Sequence, residues 1–472
     1  MENGFKQKEA DQIITEDERP FASASGFDAE GVGDRHHFQT TDQGLRIAFA
    51  TLGCKVNQVE IEALREEFVQ NGYQPVEFTD TADIYVINTC AVTGAAEKKS
   101  RAMMRRAKRK NPLGLVIVTG CYGQVAAQSI SELPEVDLVV SNNDKEYLLD
   151  MLNRYLRNEQ PVCENQPRPL RTVKYTFHHP RTRGFVKIQD GCDSFCSYCI
   201  VPLARGRIRS KLPHQVREEV RNLAAMGYRE IVLNGIHLGN YGKDLEGWKL
   251  SSLLRSILEE VPGNYRIRLG SLEPNEVDQE LIEIIQRDNR FCKHLHIPLQ
   301  SGSDKILKSM NRSYTSDQYL DLLQELFRVD PKMGLTADVM VGFPGEGRQE
   351  YEDTLELVQK SPLNDLHVFR YSSRPGTKAA VMPDQINEKA KAERSHSLIK
   401  VGRNLREKFL DSLINYDLSV LTEEVADMGV KGLSENYVEV LLPSGVELNQ
   451  LHQIRIRQRQ ESTLLGEVVE QF

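Results

Sequence analysis

No run in the chain approaches the roughly 18 consecutive apolar residues of a membrane span. The first residues hold no apolar signal core and are not the acid-free, Arg-rich start of a transit peptide, because Glu2, Glu9, Asp11, Glu16, Asp17 and Glu18 crowd them. The expected location is therefore cytoplasmic. Net positive charge is missing as well: 60 Lys and Arg stand against 68 Asp and Glu, a formal charge of -8. That balance excludes a protein that coats nucleic acid indiscriminately, while leaving room for local basic patches. Cysteine is scarce, eight in 472 residues. In a reducing compartment so few, with six of them grouped in loops, point to metal rather than disulfides. What is present, 40% hydrophobic and 27% charged residues, describes an ordinary globular chain. Its length exceeds one core and implies roughly two to four domains.

The densest chemistry is Cys192-Asp193-Ser194-Phe195-Cys196-Ser197-Tyr198-Cys199, just after the apolar run Gly184 to Ile188. Three thiolates are one too few for a closed tetrahedral zinc site or for the usual four-cysteine [4Fe–4S] site, so one coordination position is left for another ligand. The alternatives are a zinc knuckle completed by a distant His or Cys, or three buried thiols. The spacing is not that of two separated Cys-x2-Cys pairs, which disfavours zinc.

Residues 1–43 are polar and lack apolar periodicity, and are expected to be a disordered leader. From Leu45, short apolar runs alternate with helical patterns, the sequence form of βαβ units around a parallel sheet. Strands are expected at Arg46 to Ala50, Asp83 to Ile87 and Leu115 to Val118. A helix carrying Val59, Ile61, Leu64 and Phe68 should end at Asn71-Gly72. Each strand runs into a cysteine: Cys54, Cys90 and Cys121. The carboxyl ends of parallel strands lie on one edge, so these three should converge as a second set with an open position.

An irregular stretch from Gln160 to Pro180, holding Cys163, reads as a linker. A second βα series follows, with strands expected at Gly184 to Ile188, Glu230 to Asn234, Tyr265 to Leu269, His294 to Ile297, Thr336 to Val341 and Leu366 to Tyr371. Six units fall short of the eight that close a barrel, which leaves a lateral opening for a large substrate. The loops after these strands carry the unusual residues, among them Asn234, Gly235, Ser271, Glu273, Gln300 and Gly342. His237, His294 and His296 read as structural or substrate-facing rather than as metal ligands. A charged helix from about Asn387 to Leu413 leads to a last segment with strands at Leu418 to Val425, Tyr437 to Leu442, Leu451 to Arg457 and Leu464 to Val469, a small antiparallel barrel. Its basic strand face is Arg455, Arg457 and Arg459.

Two acid-free basic runs adjoin the cysteine loops. One spans Lys98 to Lys110 and includes Arg105, Arg106 and Arg109; the other is Arg205, Arg207, Arg209 and Lys211. In an acidic protein, this placement suggests a phosphate track leading to the chemistry.

The Cys192/Cys196/Cys199 spacing resembles the signature of radical S-adenosylmethionine enzymes, and from Leu45 to Val469 the chain resembles the methylthiotransferases of that superfamily. The resemblance implies an α/β chain with an N-terminal open parallel-sheet domain (44–160), a linker (161–176), a central partial (β/α)6 radical core (177–405) and a C-terminal TRAM barrel (406–472). It implies two [4Fe–4S] clusters, one on Cys54, Cys90 and Cys121 and one on Cys192, Cys196 and Cys199. S-adenosylmethionine would chelate the open iron of the second, near Asn234, Gly235, Ser271, Glu273, Gln300 and Gly342. Arg105, Arg106, Arg109, Arg205, Arg207 and Arg209 would contact RNA, while Cys163 and Cys292 would be dispensable. An electron donor of flavodoxin or ferredoxin type and a sulfur donor are implied partners, together with tRNA. The stretch Thr51-Leu52-Gly53-Cys54-Lys55-Val56-Asn57-Gln58, with Asn88-Thr89-Cys90-Ala91-Val92-Thr93, is similar to the branch acting on N6-threonylcarbamoyladenosine beside the anticodon. The alternatives are the isopentenyladenosine branch, the ribosomal-protein branch, and a non-catalytic iron–sulfur RNA-binding protein.

Overall fold

The computed structural model describes residues 44–157, 159, 169–173 and 182–471. The expected leader, Cys163 and most of the expected linker lie outside the described residues. The chain divides into two compact units, Met1–Arg168 with Leu203–Gly206, and Pro169–Pro202 with Arg207–Phe472.

In the first unit, strands β1 (Arg46–Thr51), β2 (Gln74–Val76), β3 (Ile84–Thr89), β4 (Leu115–Thr119) and β5 (Leu138–Val139) form one sheet in the order β2-β1-β3-β4-β5. Every pairing is parallel. β3 and β4 are buried along their whole length, and their unbroken apolar sequences follow from being covered on both faces. The sequence pattern misses β2 and β5, which at three and two residues are too short to show a period. Helix α1 (Lys55–Gln70) buries Val56, Val59, Ile61, Leu64 and Phe68 and stops at Asn71. Gly72 follows with φ +86°, a left-handed stop that glycine adopts without steric penalty. Helices α2 (Gly94–Lys110) and α3 (Gly120–Val125) follow β3 and β4.

The second unit starts with β6 (Arg183–Asp190), β7 (Arg209–Ser210), β8 (Glu230–Gly235), β9 (Arg266–Leu269), β10 (His294–His296), β11 (Gly334–Val341) and β12 (Asp365–Arg370). Sheets β7-β6-β8-β9 and β10-β11-β12 are joined by the parallel bridges Ile267↔Phe291 and Ser271↔His296. Six parallel strands therefore make an open, partial barrel, with the short β7 added antiparallel at one edge. Alternation along the strands sends Val186, Ile188, Ile231, Leu233, Ile267, Leu269, Leu335, Ala337 and Val339 into the apolar core shared with the helices. The intervening residues line the other face, and many are polar.

The last five strands, β13 (Asp417–Ala426), β14 (Gly429–Ser434), β15 (Glu439–Leu442), β16 (Leu451–Gln460) and β17 (Thr463–Gln471), close into a barrel in the order β13-β14-β15-β17-β16. The barrel is antiparallel as expected except for one pairing, β15 with β17, which is parallel. An odd number of strands cannot alternate direction all the way round a closed ring. β14 escaped the sequence reading because Gly429 and Gly432 interrupt it. Both are required, since a Cβ would come 1.9 Å from Leu442 O at the first and 2.6 Å from Leu421 O at the second.

This barrel is fastened to the strands above it by buried charge. Arg266 donates to Ser419 O (2.8 Å) and Leu433 O (2.7 Å), and Arg268 donates to Ser434 O (3.0 Å) and Glu435 O (3.1 Å). The Glu230 carboxylate faces both guanidiniums at 2.7 Å. Burial works against its ionised form, but Arg268 and Arg266 outweigh that and hold Glu230 well below the usual carboxylate range. Cys292 is buried beside them and its thiol is pushed up to about 12 by burial.

Candidate functional site: two three-cysteine loops

The first set forms where β1, β3 and β4 end. Cys54 is the residue before α1, Cys90 follows β3, and Cys121 is the second residue of α3. Cys90 and Cys121 are buried and Cys54 is exposed. The loops close tightly: a Cβ on Gly53 (φ +105°) would lie 2.9 Å from Cys90 Cβ and 3.0 Å from its Sγ. Asn57 ties the loops together, donating through Nδ2 to Leu52 O (2.7 Å) and Thr89 O (3.1 Å), while its carbonyl accepts from Asn88 Nδ2 (2.9 Å).

Arg205, in the Leu203–Gly206 segment of this unit, is 1% exposed. Its Nε lies 3.4 Å from Cys121 Sγ, and its Nη atoms bond Glu60 and Asn57. Lys145 Nζ, also buried, binds the same Glu60 at 2.7 Å. Burial raises the Cys54 and Cys90 thiols and outweighs the opposing pull of Arg205, so a bound metal is needed to hold them as thiolates.

The second set sits on the loop after β6, in the other unit. The loop is pinned by Ser197 N to Met310 O (3.0 Å), Ser197 Oγ to Ser309 O (2.8 Å), Asn311 Nδ2 to Ser194 O (3.0 Å) and Ala379 N to Ser197 O (2.7 Å). His237 Nδ1 lies 3.2 Å from Cys192 Sγ and its Nε2 lies 2.5 Å from Glu276 Oε1. Burial opposes protonation of His237, but the contacts to Cys192 and Glu276 prevail and raise it to about 10. Burial pushes the Cys199 thiol up to about 12, so only a bound metal would hold it as thiolate. Arg312 reaches both Cys196 Sγ (3.5 Å) and Glu273 Oε1 (2.8 Å). Cys196, His237, Glu273, Glu276 and Arg312 line a polar cavity with Asn240, Lys243 and Asn275.

Each set offers three cysteine thiols, the soft sulfur donors that an iron–sulfur cluster takes, and leaves one position for another ligand.

The residues expected near S-adenosylmethionine divide. Glu273 lines the cavity beside Cys196. Ser271 is exposed at the end of β9, and Gln300 (φ +62°) is held by its N–H on Asp338 O (2.9 Å). Asn234 is buried, with its side chain donating to Val232 O (3.3 Å), and Gly235 packs against Gln189. Gly342 is filled from outside by protein, because a Cβ there would come 2.2 Å from Lys391 Cγ.

The basic runs also divide. On α2, Ser100, Met104 and Ala107 face the core, so Lys98, Lys99, Arg101, Arg105, Arg106, Arg109 and Lys110 are exposed together. The second run is a correction. Arg205 is buried as described, Arg209 pairs with Asp190 (3.2 Å), and Lys211 is buried on Glu219 (2.6 Å); Arg207, 68% exposed, keeps only a loose pair with Asp193 (3.7 Å) and is the most accessible of the four. Arg455, Arg457 and Arg459 of β16 are likewise taken up, by Asp417, Glu467 and Asp411. Sequence reading missed Asn57, Glu60 and Arg312; the first two are polar residues close after Cys54, whereas Arg312 lies 116 residues from Cys196 and carries no local signal.

Two family profiles match the chain: the one described as uncharacterized protein family UPF0004 over residues 46–141, and the radical SAM superfamily over 186–358. The chain is 41% identical over 405 residues to the threonylcarbamoyladenosine tRNA methylthiotransferase MtaB of Bacillus subtilis, covering 84% of this chain and 90% of that protein. It is 36% identical over 416 residues to the MtaB of Aquifex aeolicus, covering 87% and 100%. It is 37% identical over 388 residues to a tRNA-2-methylthio-N(6)-dimethylallyladenosine synthase of Pelotomaculum thermopropionicum, covering 80% and 86%. Among solved structures, the radical S-adenosylmethionine methyltransferase TsrM of Kitasatospora setae shares the fold with a TM-score of 0.56 at 13% identity, covering 71% of this chain and 77% of that one. Two sets of three cysteines at the ends of parallel strands, and relatives matched over nearly their whole lengths, place this chain in the radical S-adenosylmethionine methylthiotransferase family.

Proposed function

We propose that this chain transfers a methylthio group to C2 of N6-threonylcarbamoyladenosine in tRNA, with S-adenosylmethionine and two [4Fe–4S] clusters as cofactors. The observation that carries the reading is the pair of three-cysteine sets, in a chain 41% identical to the Bacillus subtilis enzyme over 84% of its length. Cys54, Cys90 and Cys121 would hold one cluster and Cys192, Cys196 and Cys199 the other. When bound, these groups supply the reductive cleavage of S-adenosylmethionine and the site of sulfur transfer.

The chain's own residues supply position. Asn57 and Arg205 fix the first set of loops, and Ser309 to Arg312 fix the second. Glu273, held by Arg312 beside Cys196, would meet the cationic S-adenosylmethionine, with Asn234, Gly235, Ser271 and Gln300 as further contacts at the strand ends. A stacked base cannot present C2, so the target lies in a single-stranded loop whose base can be turned out. The exposed cations of α2, including Arg105, Arg106 and Arg109, would hold flanking phosphates, with Arg207 a lesser contact. The working division is a sheet domain at 44–160, a linker at 161–176, a radical core at 177–405 and a TRAM barrel at 406–472. A one-electron donor of flavodoxin or ferredoxin type and a sulfur donor complete the reaction, and a tRNA substrate suits the cytoplasm. Among the described residues, no helix is long and apolar enough to cross a membrane.

The 37% identity to a dimethylallyladenosine enzyme makes that nucleoside the competing substrate. Mass spectrometry of tRNA nucleosides from cells lacking the protein decides between them. Loss of the methylthio form of the threonylcarbamoyl nucleoside is expected, and loss only of the dimethylallyl form would overturn the choice.

A further inference from the structure

Three side chains from adjacent strands, none of them in either cysteine set, meet on the inner face of the partial barrel. His296 ends β10, Asp338 lies mid-way along β11, and His367 is the third residue of β12. The ladder fixes their positions, with His296 opposite Thr336 and Asp338 opposite His367. Leu295, Ile297, Leu335, Ala337, Val339 and Leu366 point into the apolar core. Strand alternation therefore turns Thr336, Asp338, His296 and His367 to the opposite face.

The distances are those of ligands around one ion. Asp338 Oδ1 lies 3.2 Å from His296 Nε2 and 3.4 Å from His367 Nδ1, and the ligand atoms of all three residues fall within 4.8 Å of one another. Metal–nitrogen and metal–oxygen bonds of about 2.0–2.2 Å put neighbouring ligand atoms about 3.0–3.5 Å apart in octahedral or tetrahedral geometry. His296 is also oriented from behind. Its Nδ1 lies 2.9 Å from Thr336 Oγ1, so Nε2 is the nitrogen presented to Asp338. Metal-ligating histidines almost always have such a partner on the second nitrogen. Thr336 Oγ1 in turn contacts His294 Nε2 (3.2 Å), whose ring stacks on Tyr437 with centroids 4.7 Å apart. His367 is 66% exposed, which leaves the third side open for an ion to enter and take up further ligands.

We propose that His296, Asp338 and His367 form a binding site for one divalent first-row transition-metal ion, distinct from the cluster ligands. Two imidazoles and one carboxylate suit zinc, iron(II), cobalt or nickel, whereas magnesium and calcium prefer all-oxygen shells. The methylthiotransferase reading neither assigns this site nor depends on it. The same distances also suit two histidines hydrogen-bonded to one carboxylate with no ion, and the experiment separates the two.

Zn2+ is titrated into the anaerobic enzyme with both clusters in place, against a chromophoric chelator, while cluster absorbance is followed to show that no cysteine has been displaced. One equivalent bound per chain is expected, with a rise in thermal midpoint. D338N and H367A should each weaken binding at least tenfold and abolish the rise, and the exposed position of His367 lets H367A fold. T336V, which removes a hydroxyl bonded to His296 and His294, should weaken binding about 10–100-fold. Wild-type enzyme that binds no zinc beyond what D338N binds, or affinity unchanged in both D338N and H367A, overturns the site and leaves an ion-pair cluster.

Discussion

Arg205 Nε lies 3.4 Å from Cys121 Sγ, and the same guanidinium bonds Glu60 and Asn57 from a position shielded from water. Hydrogen bonds to the sulfurs, and charge beside them, set a cluster's reduction potential. Removing a donor and a cation should lower it. In a protein with Cys192, Cys196 and Cys199 replaced by Ala, which isolates the first cluster, R205Q should shift the potential downward in an EPR-monitored titration. It should also cost about 3–5 kcal/mol of stability, because a buried ion pair loses one partner. An unchanged potential would reduce Arg205 to a packing role.

The two cysteine sets should be separable. Replacing Cys192, Cys196 and Cys199 by Ala is expected to halve the iron from about eight atoms per chain and leave an EPR-visible cluster. Replacing Cys54, Cys90 or Cys121 singly should abolish methylthiolation and leave some cleavage of S-adenosylmethionine. A triple variant without any cluster, or a C292A variant that loses one, would contradict the ligand sets.

Neutralising Arg105, Arg106 and Arg109 together should weaken tRNA binding and flatten its salt dependence by up to about one unit of slope per lost phosphate contact. Cleavage of S-adenosylmethionine without tRNA should survive. Neutralising Arg457 or Arg459 should leave the slope unchanged, because Glu467 and Asp411 already occupy them. An unaltered slope in the triple variant would make α2 an ordinary solvated face.

Glu230 gives a pH-dependent test. Burial raises its proton affinity, and Arg268 and Arg266 lower it further than burial raises it. Its folded-state value lies below the unfolded one of about 4.3, so the stability it contributes is complete above that pH and fades as the pH falls towards the folded value. The gap in denaturation free energy between wild type and E230Q should be about 3–5 kcal/mol at pH 7 and should narrow below about pH 4. A gap that does not change with pH would show that the carboxylate contributes shape rather than charge.

Periodicity revealed the strands that are long and buried on at least one face: β3, β4, β8 and β11 all stand where alternation or unbroken apolar runs put them. The cysteines were legible because each follows such a strand. The environment around them was not, because it is assembled from distant segments. Glu60 meets Lys145, 85 residues away, and Arg205, 145 residues away. The run from Arg205 to Lys211 contains no acid in sequence, yet finds Glu60, Asp190 and Glu219 in space. His296 could be read as structural for the same reason, since Asp338 and His367 join it only through strand register. Asp338, the one charge in a strand otherwise apolar but for Thr336, was the available hint.

The first unit is not contiguous in the chain, for it includes Leu203–Gly206 as well as Met1–Arg168. A recombinant exchange of residues 1–168 between two family members would import Glu60, Asn57 and Cys121 while leaving behind the arginine that satisfies all three. The donor's version of residues 203–206 must travel with the cassette. Inheritance of the sheet domain is therefore coupled, through one side chain, to a tetrapeptide encoded just downstream of the Cys192 to Cys199 motif.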